Sequence, residues 1–339
     1  MNLTARVEPK VRDSAASKTV LVTGAAGFIG SHTAETLLKR GHRVVGLDNF
    51  NTYYAPDRKR ANVEEVRAAA SDPERFKLVE GDIRDIEKVG QIFADESVEA
   101  VVHLAAMAGV RASINDPPLY YDVNVTGTQN LLQHARRHEI GNFVFASTSS
   151  VYGLTEQIPF VETDACDTPI SPYSASKRAA ELMCFTYHRL FDLNINVLRF
   201  FTVYGPRGRP DMMAYKLLDS MDSGREIPLF NGGQMHRDWT YIDDIVSGVV
   251  AAAEKPLGFE IFNLGRGEPV LLKDFVDYME AQNGRPANLV NKPMPSTDVK
   301  LTYADTSKAA QLLGYNPKIS VKEGIELFWK WYRTAVRPA

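Results

Sequence analysis

The chain has 339 residues, of which 44% are apolar and 24% charged, with a net charge of −3. That length suggests about two domains, and the composition excludes collagen-like, coiled-coil and wholly disordered chains. No basic excess exists to neutralise a phosphate backbone, and no apolar run reaches the ~18–20 residues of a membrane span, so neither nucleic acid nor membrane is an expected partner.

Residues 1–17 are polar, carry both charge signs and lack an apolar signal core. They read as a disordered tail on a cytoplasmic protein. From Lys18 onward, short apolar runs alternate with amphipathic stretches. Strands are expected at Thr19–Thr23, Arg43–Leu47, Phe76–Glu80, Ala100–Leu104, Asn142–Ser147 and Asn196–Phe201. Helices are expected at Ser31–Arg40, Glu87–Ala94, Tyr120–His138 and Tyr173–Phe191. Such alternation predicts an α/β fold of Rossmann type, a doubly wound parallel sheet covered on both faces. After Tyr204 the run Gly-Pro-Arg-Gly-Arg-Pro breaks the pattern. We therefore divide the chain into a dinucleotide-binding domain over 18–203 and a smaller, mixed α/β substrate domain over 204–339. Segments within about 237–263 should return to the sheet, since Asp238–Ile242 and Glu260–Asn263 also read as strands.

Between the first strand and the first helix stand Gly24, Gly27 and Gly30. Their GxxGxxG spacing is one residue wider than the usual dinucleotide fingerprint, but the strand–turn–helix context is the one it requires. Glycine lets a pyrophosphate approach the backbone, and the helix N-terminus favours negative charge. Asp48 ends the second strand, where a carboxylate hydrogen-bonds a ribose 2′-hydroxyl and repels a 2′-phosphate, favouring NAD over NADP. Asp82 and Ile83 follow the third strand and are placed to meet the adenine.

Tyr173 is the only one of the 14 tyrosines with a lysine four residues on, Lys177. An i, i+4 pair lies on one helix face. Thr148 lies just past the fifth strand, so all three should converge with the glycine loop at the carboxyl ends of the strands, where open α/β sheets bind ligands. A tyrosine is mostly protonated at neutral pH, and a neighbouring ammonium favours the phenolate. The phenolate can then take a hydroxyl proton while hydride leaves the same carbon.

TGAAGFIGSH, Gly81-Asp82, HLAA at 103–106, STSSVYG at 147–153 and the 173–177 YxxxK together resemble the extended short-chain dehydrogenase/reductase family over about residues 18–335. LDNFNTYY (47–54), RFFTVYGPRGRPDM (199–212) and RDWTYIDDI (237–245) are most similar to its nucleotide-sugar 4-epimerases, the UDP-glucuronate branch above all. The resemblance implies a tightly held NAD, a UDP-sugar substrate and a homodimer formed through helices at about 116–138 and 173–191. It implies Tyr173 as base, Lys177 as its partner and Thr148 at the Ser/Thr position. Asn124 matches an asparagine that supports the lysine through solvent. It further implies cofactor contacts from Phe28, Ile29, Asn49, Asn51, Leu104, Ala105, Ala106, Asn124, Ser147, Tyr173 and Lys177, beside the glycines, Asp48, Asp82 and Ile83. Arg237 matches an arginine for the UDP phosphates, and Phe230 resembles an aromatic that packs on uracil. Where neutral-sugar epimerases often carry Asn, this chain has Thr202.

After oxidation at C4, a sugar with a C5 carboxylate can lose CO₂ and one with a C5 CH₂OH can lose water; the family's dehydratases carry Asp-Glu directly after the threonine, and its decarboxylases a Glu before VYG. Here Ser149 and Ser150 occupy those positions. The chain thus looks equipped to stop at the 4-ketone, turn it and return the hydride, interconverting UDP-glucuronate and UDP-galacturonate. Ser149, Ser150, Thr202 and Arg209 are candidate donors to the substrate carboxylate; Arg209 alternatively binds phosphate or ties down its loop. UDP-glucose 4-epimerase, UDP-glucuronate decarboxylase and, remotely, a non-catalytic NAD sensor remain open. His134 and His138 read as a solvated helix face and not as a metal pair, His103 as a strand-end core histidine, and Trp329 and Trp331 as packing. Cys166 and Cys184 read as reduced thiols, too few for a disulfide framework and without zinc spacing.

Overall fold

A computed structural model describes residues 17–336; the tail expected over residues 1–17 falls outside it apart from Ser17. In chain order the first half runs β1 (Thr19–Thr23), α1 (Phe28–Lys39), β2 (Arg43–Asp48), α2 (Pro56–Ala69), β3 (Phe76–Glu80), α3 (Ile86–Glu96), β4 (Ala100–His103), α4 (Pro117–Tyr121), α5 (Gly127–Arg137), β5 (Asn142–Thr148), α6 (Pro172–Phe191) and β6 (Ile195–Phe200). There follow β7 (Thr202–Tyr204), α7 (Met213–Ser223), β8 (Ile227–Phe230), β9 (His236–Tyr241), α8 (Ile242–Glu254), β10 (Phe259–Leu264), β11 (Pro269–Leu271), α9 (Leu272–Asn283), β12 (Leu289–Lys292), α10 (Ser307–Leu313) and α11 (Val321–Trp331).

Seven strands form one sheet in the order β3-β2-β1-β4-β5-β6-β10, and every pairing in it is parallel. This is the doubly wound α/β arrangement expected from the alternation of strands and helices. The inner strands β1, β4, β5 and β6 are mostly apolar because both their faces are buried. Successive side chains point to opposite sides, so Val20 and Val22 feed one core while Leu21 feeds another. The first core runs without interruption into the later part of the chain, where Trp239 stacks on Phe275 with ring centroids 3.8 Å apart.

Of the two segments expected to return to the main sheet, only β10 does, as an edge strand beside β6. The segment read as Asp238–Ile242 instead forms β9 in a separate three-stranded sheet, between β7 and β11. Its successor α8 is what returns, packing against α1 and β5. The stretch read as one helix over 120–138 is interrupted by a π-helical turn, Asp122–Thr126. Helix α2 had no counterpart in the sequence reading; it is largely polar and buries only one side, through Lys59, Asn62, Val63 and Val66.

Candidate active site

The glycine turn is built by contacts that leave no room for side chains. Gly24 adopts φ +70°, and a Cβ on Gly30 would stand 2.0 Å from the Gly24 carbonyl oxygen. Helix α1 begins at Phe28, and neither a side-chain cap nor an acidic residue occupies its first turn. Asp48 fixes this loop from β2, accepting from the Ala26 N–H at 3.1 Å and the Phe50 N–H at 2.9 Å. Along this loop and the strand ends runs a cavity of about 200 Å³. Gly24, Gly27, Phe28, Ile29, Gly30, Asp48, Asn49, Asn51, Asp82, Ile83, Leu104, Ala105, Ala106, Ser147, Tyr173 and Lys177 all border it. Asn49 donates to Asp82 at 2.9 Å, and hydrogen bonds from Arg84 hold the Asp82 carboxyl down at about 2.

Asn124 lies away from this cavity, inside the π-helical turn and 1% exposed. Its side-chain amide is fully engaged: Oδ1 accepts from the Met107 N–H, while Nδ2 donates to the Met107 carbonyl and to Ser176 Oγ. It therefore anchors the β4–α4 loop to α6, the helix that carries the Tyr–Lys pair.

Helix α6 starts with Ser171 as N-cap, its Oγ accepting from the Ser174 N–H at 3.1 Å, and Pro172 at the first position. This capped start sets Tyr173 in the first turn and Lys177 one turn on, both facing the cavity. Tyr173 is hydrogen-bonded with Thr148, and Thr148 also accepts from the Ser150 N–H at 3.1 Å. Burial pushes the Tyr173 phenol up; the Arg209 guanidinium and the Thr148 hydrogen bond pull it down. The cation that offsets burial at Tyr173 is thus Arg209, where the sequence pointed to Lys177. Lys177 is 2% exposed, and burial pushes its ammonium down to about 7. Its Nζ stands over the Phe145 ring, 4.3 Å from the centroid.

A second cavity of about 440 Å³ adjoins the first, and the two share Tyr53 and Arg209. Phe230 and Arg237, named from the resemblance, and Ser149, Ser150, Thr202 and Arg209, the candidate carboxylate donors, border it. Thr148 borders neither cavity and sits between them in the chain. Arg209 is not a free cation: its Nε and Nη2 grip the Asp211 carboxylate, both at 2.9 Å. Tyr53 donates to the same carboxylate at 3.1 Å. Phe230 carries the Arg111 guanidinium on its ring, 4.1 Å from the centroid. Arg111 pairs with Asp298 at 2.6 Å, and Arg237 approaches the same carboxylate at 3.8 Å.

Tyr53, Tyr54 and Lys59 on the smaller cavity, and Arg111, Lys216 and Asp298 on the larger, escaped the sequence reading. Lys59 had a signal, since it lies one helical turn from buried Asn62 and Val63; Lys216 and Asp298 had none. His103 is a buried strand-end residue between Thr23 Oγ1 at 2.7 Å and Thr128 Oγ1 at 2.9 Å. His134 corrects the expectation of a solvated face: it is 8% exposed and stacks on Phe93. Among the described residues no cluster of potential metal ligands occurs, and no helix is long and apolar enough to cross a membrane. Burial pushes the Cys166 thiol up to about 12.

A doubly wound sheet, a glycine turn opening α1 and a Tyr–Lys pair at the strand ends define an extended short-chain dehydrogenase/reductase. More particularly, the chain belongs to the NAD dependent epimerase/dehydratase family, whose model matches residues 20–265. It is similar to a UDP-glucuronate 4-epimerase of Thermodesulfobacterium geofontis, 44% identical over 312 residues that span 92% of this chain and 95% of the relative. Its fold matches a Bacillus cereus UDP-glucuronic acid 4-epimerase solved with UDP-glucuronic acid and NAD, with TM-score 0.85, 36% identity and coverage of 93% and 99% of the two chains. It also matches DesIV, a dTDP-glucose 4,6-dehydratase of Streptomyces venezuelae, with TM-score 0.86, 31% identity and coverage of 94% and 97%. Epimerases and dehydratases share this architecture, so the reaction must be argued from the site.

Proposed function

We propose that the protein is a UDP-glucuronate 4-epimerase that interconverts UDP-glucuronate and UDP-galacturonate. The observation that carries this reading is the lining of the larger cavity. Ser149, Ser150 and Thr202 offer hydroxyls beside the acid–base group. Among the described residues that border the cavity, the only carboxylates are Asp211, paired with Arg209, and Asp298, paired with Arg111. A substrate carboxylate meets donors there, while elimination of water from a 4-ketone finds no uncommitted carboxyl acid.

The smaller cavity fits NAD: the turn exposes backbone where Cβ atoms are excluded, α1 opens without a capping side chain, and Asp48 stands at the ribose end. When bound, NAD supplies a reversible hydride acceptor for C4 of the sugar. Tyr173 takes the C4 hydroxyl proton and gives it back after the ketone has turned, and Thr148 holds the phenolic oxygen in place. Ser149, Ser150 and Thr202 hold the carboxylate, with Arg209 joining them when it parts from Asp211. Arg237, Arg111 and Lys216 surround the diphosphate, and Phe230 packs against the uracil once Arg111 yields its ring. Residues 18–203 thus serve mainly the cofactor, and 204–339 mainly the sugar nucleotide.

We also infer a homodimer in the cytoplasm. Helix α6 presents Leu182, Phe185 and Leu190 to solvent, 53%, 49% and 66% exposed, beside α5.

The test is to incubate the purified protein with UDP-glucuronate, without added NAD⁺, and to follow the sugar by NMR. Conversion to the galacto isomer with no release of CO₂ is expected. Release of CO₂, or turnover of UDP-glucose alone, overturns the reading.

A further inference from the structure

Behind the Tyr–Lys pair lies a buried charge cluster for which the proposed reaction gives no reason. Glu181 stands one turn beyond Lys177 on α6, and its side chain is wholly shielded from solvent. It accepts from Arg199 Nε at 3.0 Å and Nη2 at 2.9 Å, from Arg178 Nη1 at 3.0 Å, and from Ser147 Oγ. Arg199 heads the fully buried side chains by volume and lies on β6 in register with Ser147 of β5. One carboxylate therefore joins the helix that carries Tyr173 and Lys177 to the strand that ends in Thr148. An apolar cluster of similar volume is often as stable as a buried ion pair or more so, so stability alone does not account for this one.

The groups facing Lys177 narrow its role. Around the ammonium stand Phe145 of β5, His103 of β4, and Cys184 and Glu181 of α6 itself. Burial keeps His103 neutral and pushes the Cys184 thiol up, which leaves Glu181 as the one carboxylate acting on Lys177 among the described residues.

We propose that Glu181 is a positioning residue of the acid–base chemistry: it registers α6 on β5 and β6 so that Tyr173 and Lys177 meet Thr148, and its charge opposes the loss of the Lys177 proton. The proposal rests on the acid–base assignment of Tyr173 and Lys177 above. Without that charge the burial of Lys177 goes unopposed by any carboxylate, and the lysine loses its proton at lower pH.

The test measures kcat and KM against pH in the NAD-loaded protein for Glu181→Gln, for Glu181→Gln combined with Arg199→Met, and for Glu181→Asp. In Glu181→Gln the alkaline limb of kcat should move down by about one pH unit, with kcat at pH 8 reduced ~10-fold and KM for the sugar nucleotide nearly unchanged. The double variant removes the stranded guanidinium, so its Tm should return towards the parent while the limb stays displaced. Glu181→Asp keeps the charge and should keep the limb. An unmoved limb in the two uncharged variants, a double variant with parental kcat, or a displaced limb in Glu181→Asp overturns the proposal. If Glu181→Gln does not fold, the double variant decides. No turnover by the unaltered protein overturns the acid–base reading, and the proposal with it; turnover with an unmoved limb overturns the proposal alone.

Discussion

Lys177 is held where a lysine is least at ease, 2% exposed with its ammonium pushed down to about 7. Its folded-state pKa lies below that of the unfolded chain, so below pH 7 both states bind the proton and the full burial cost is present. Between about 7 and the ordinary lysine value the unfolded state binds more protons, and stability rises with pH. Lys177→Met fills the same space without a charge. At pH 6 this variant should melt a few degrees higher than the parent, while turnover falls ~100-fold or more through loss of the acid–base pair. A scanning fluorimetry trace beside a rate measurement checks both; a lower Tm refutes the burial argument. The Tyr173–Lys177 pair was legible because i, i+4 spacing on a helix leaves few arrangements open. The engagement of Arg209 by Asp211 was not, since a two-residue spacing in a Gly/Pro-rich loop has no fixed geometry. His134 misled for a related reason: arginines flank it in sequence, yet helix periodicity turns it towards Phe93.

At the scale of elements, the strands followed from short apolar runs, and the parallel sheet from strand–helix alternation. The boundaries that shifted did so for local reasons. Helix α1 starts before the expected Ser31 because Gly27 serves as N-cap. The first six strands of the sheet could be read in chain order, but which later segment takes the free edge beside β6 depends on tertiary packing, and β9 and β10 look alike in sequence. Helix α2 has little apolar periodicity, so only Pro56 at its start marked it. The glycine turn was legible as a motif, but its tightness required coordinates. Gly30→Ala places a methyl 2.0 Å from backbone, where no side chain can give way. We expect the folded variant to lose its bound NAD, seen as loss of cofactor from the purified protein after acid release; full retention would contradict the cradle.

At the scale of the whole molecule, one of the cores is shared by both parts of the chain: the core beneath α1 and α8 extends to Trp239, Phe275 and Phe328. The same view bears on assembly. Leu182, Phe185 and Leu190 expose apolar side chains along one helix, and contiguous exposed apolar surface marks interaction sites. Leu182→Arg should shift the protein from dimer to monomer in sedimentation velocity; a monomeric parent would refute the dimer. Other contacts tie the two parts across the crevice: Tyr53 to Asp211, Arg58 to Tyr215, and Arg207 to both Glu35 and Glu65. The first of these lies at Tyr53 and Arg209, the residues common to the two cavities. The proposed reaction hands its hydride back within each cycle, so turnover calls for no exchange of the cofactor. Net turnover then consumes neither free NAD⁺ nor NADH, whereas an ordinary dehydrogenase converts one into the other.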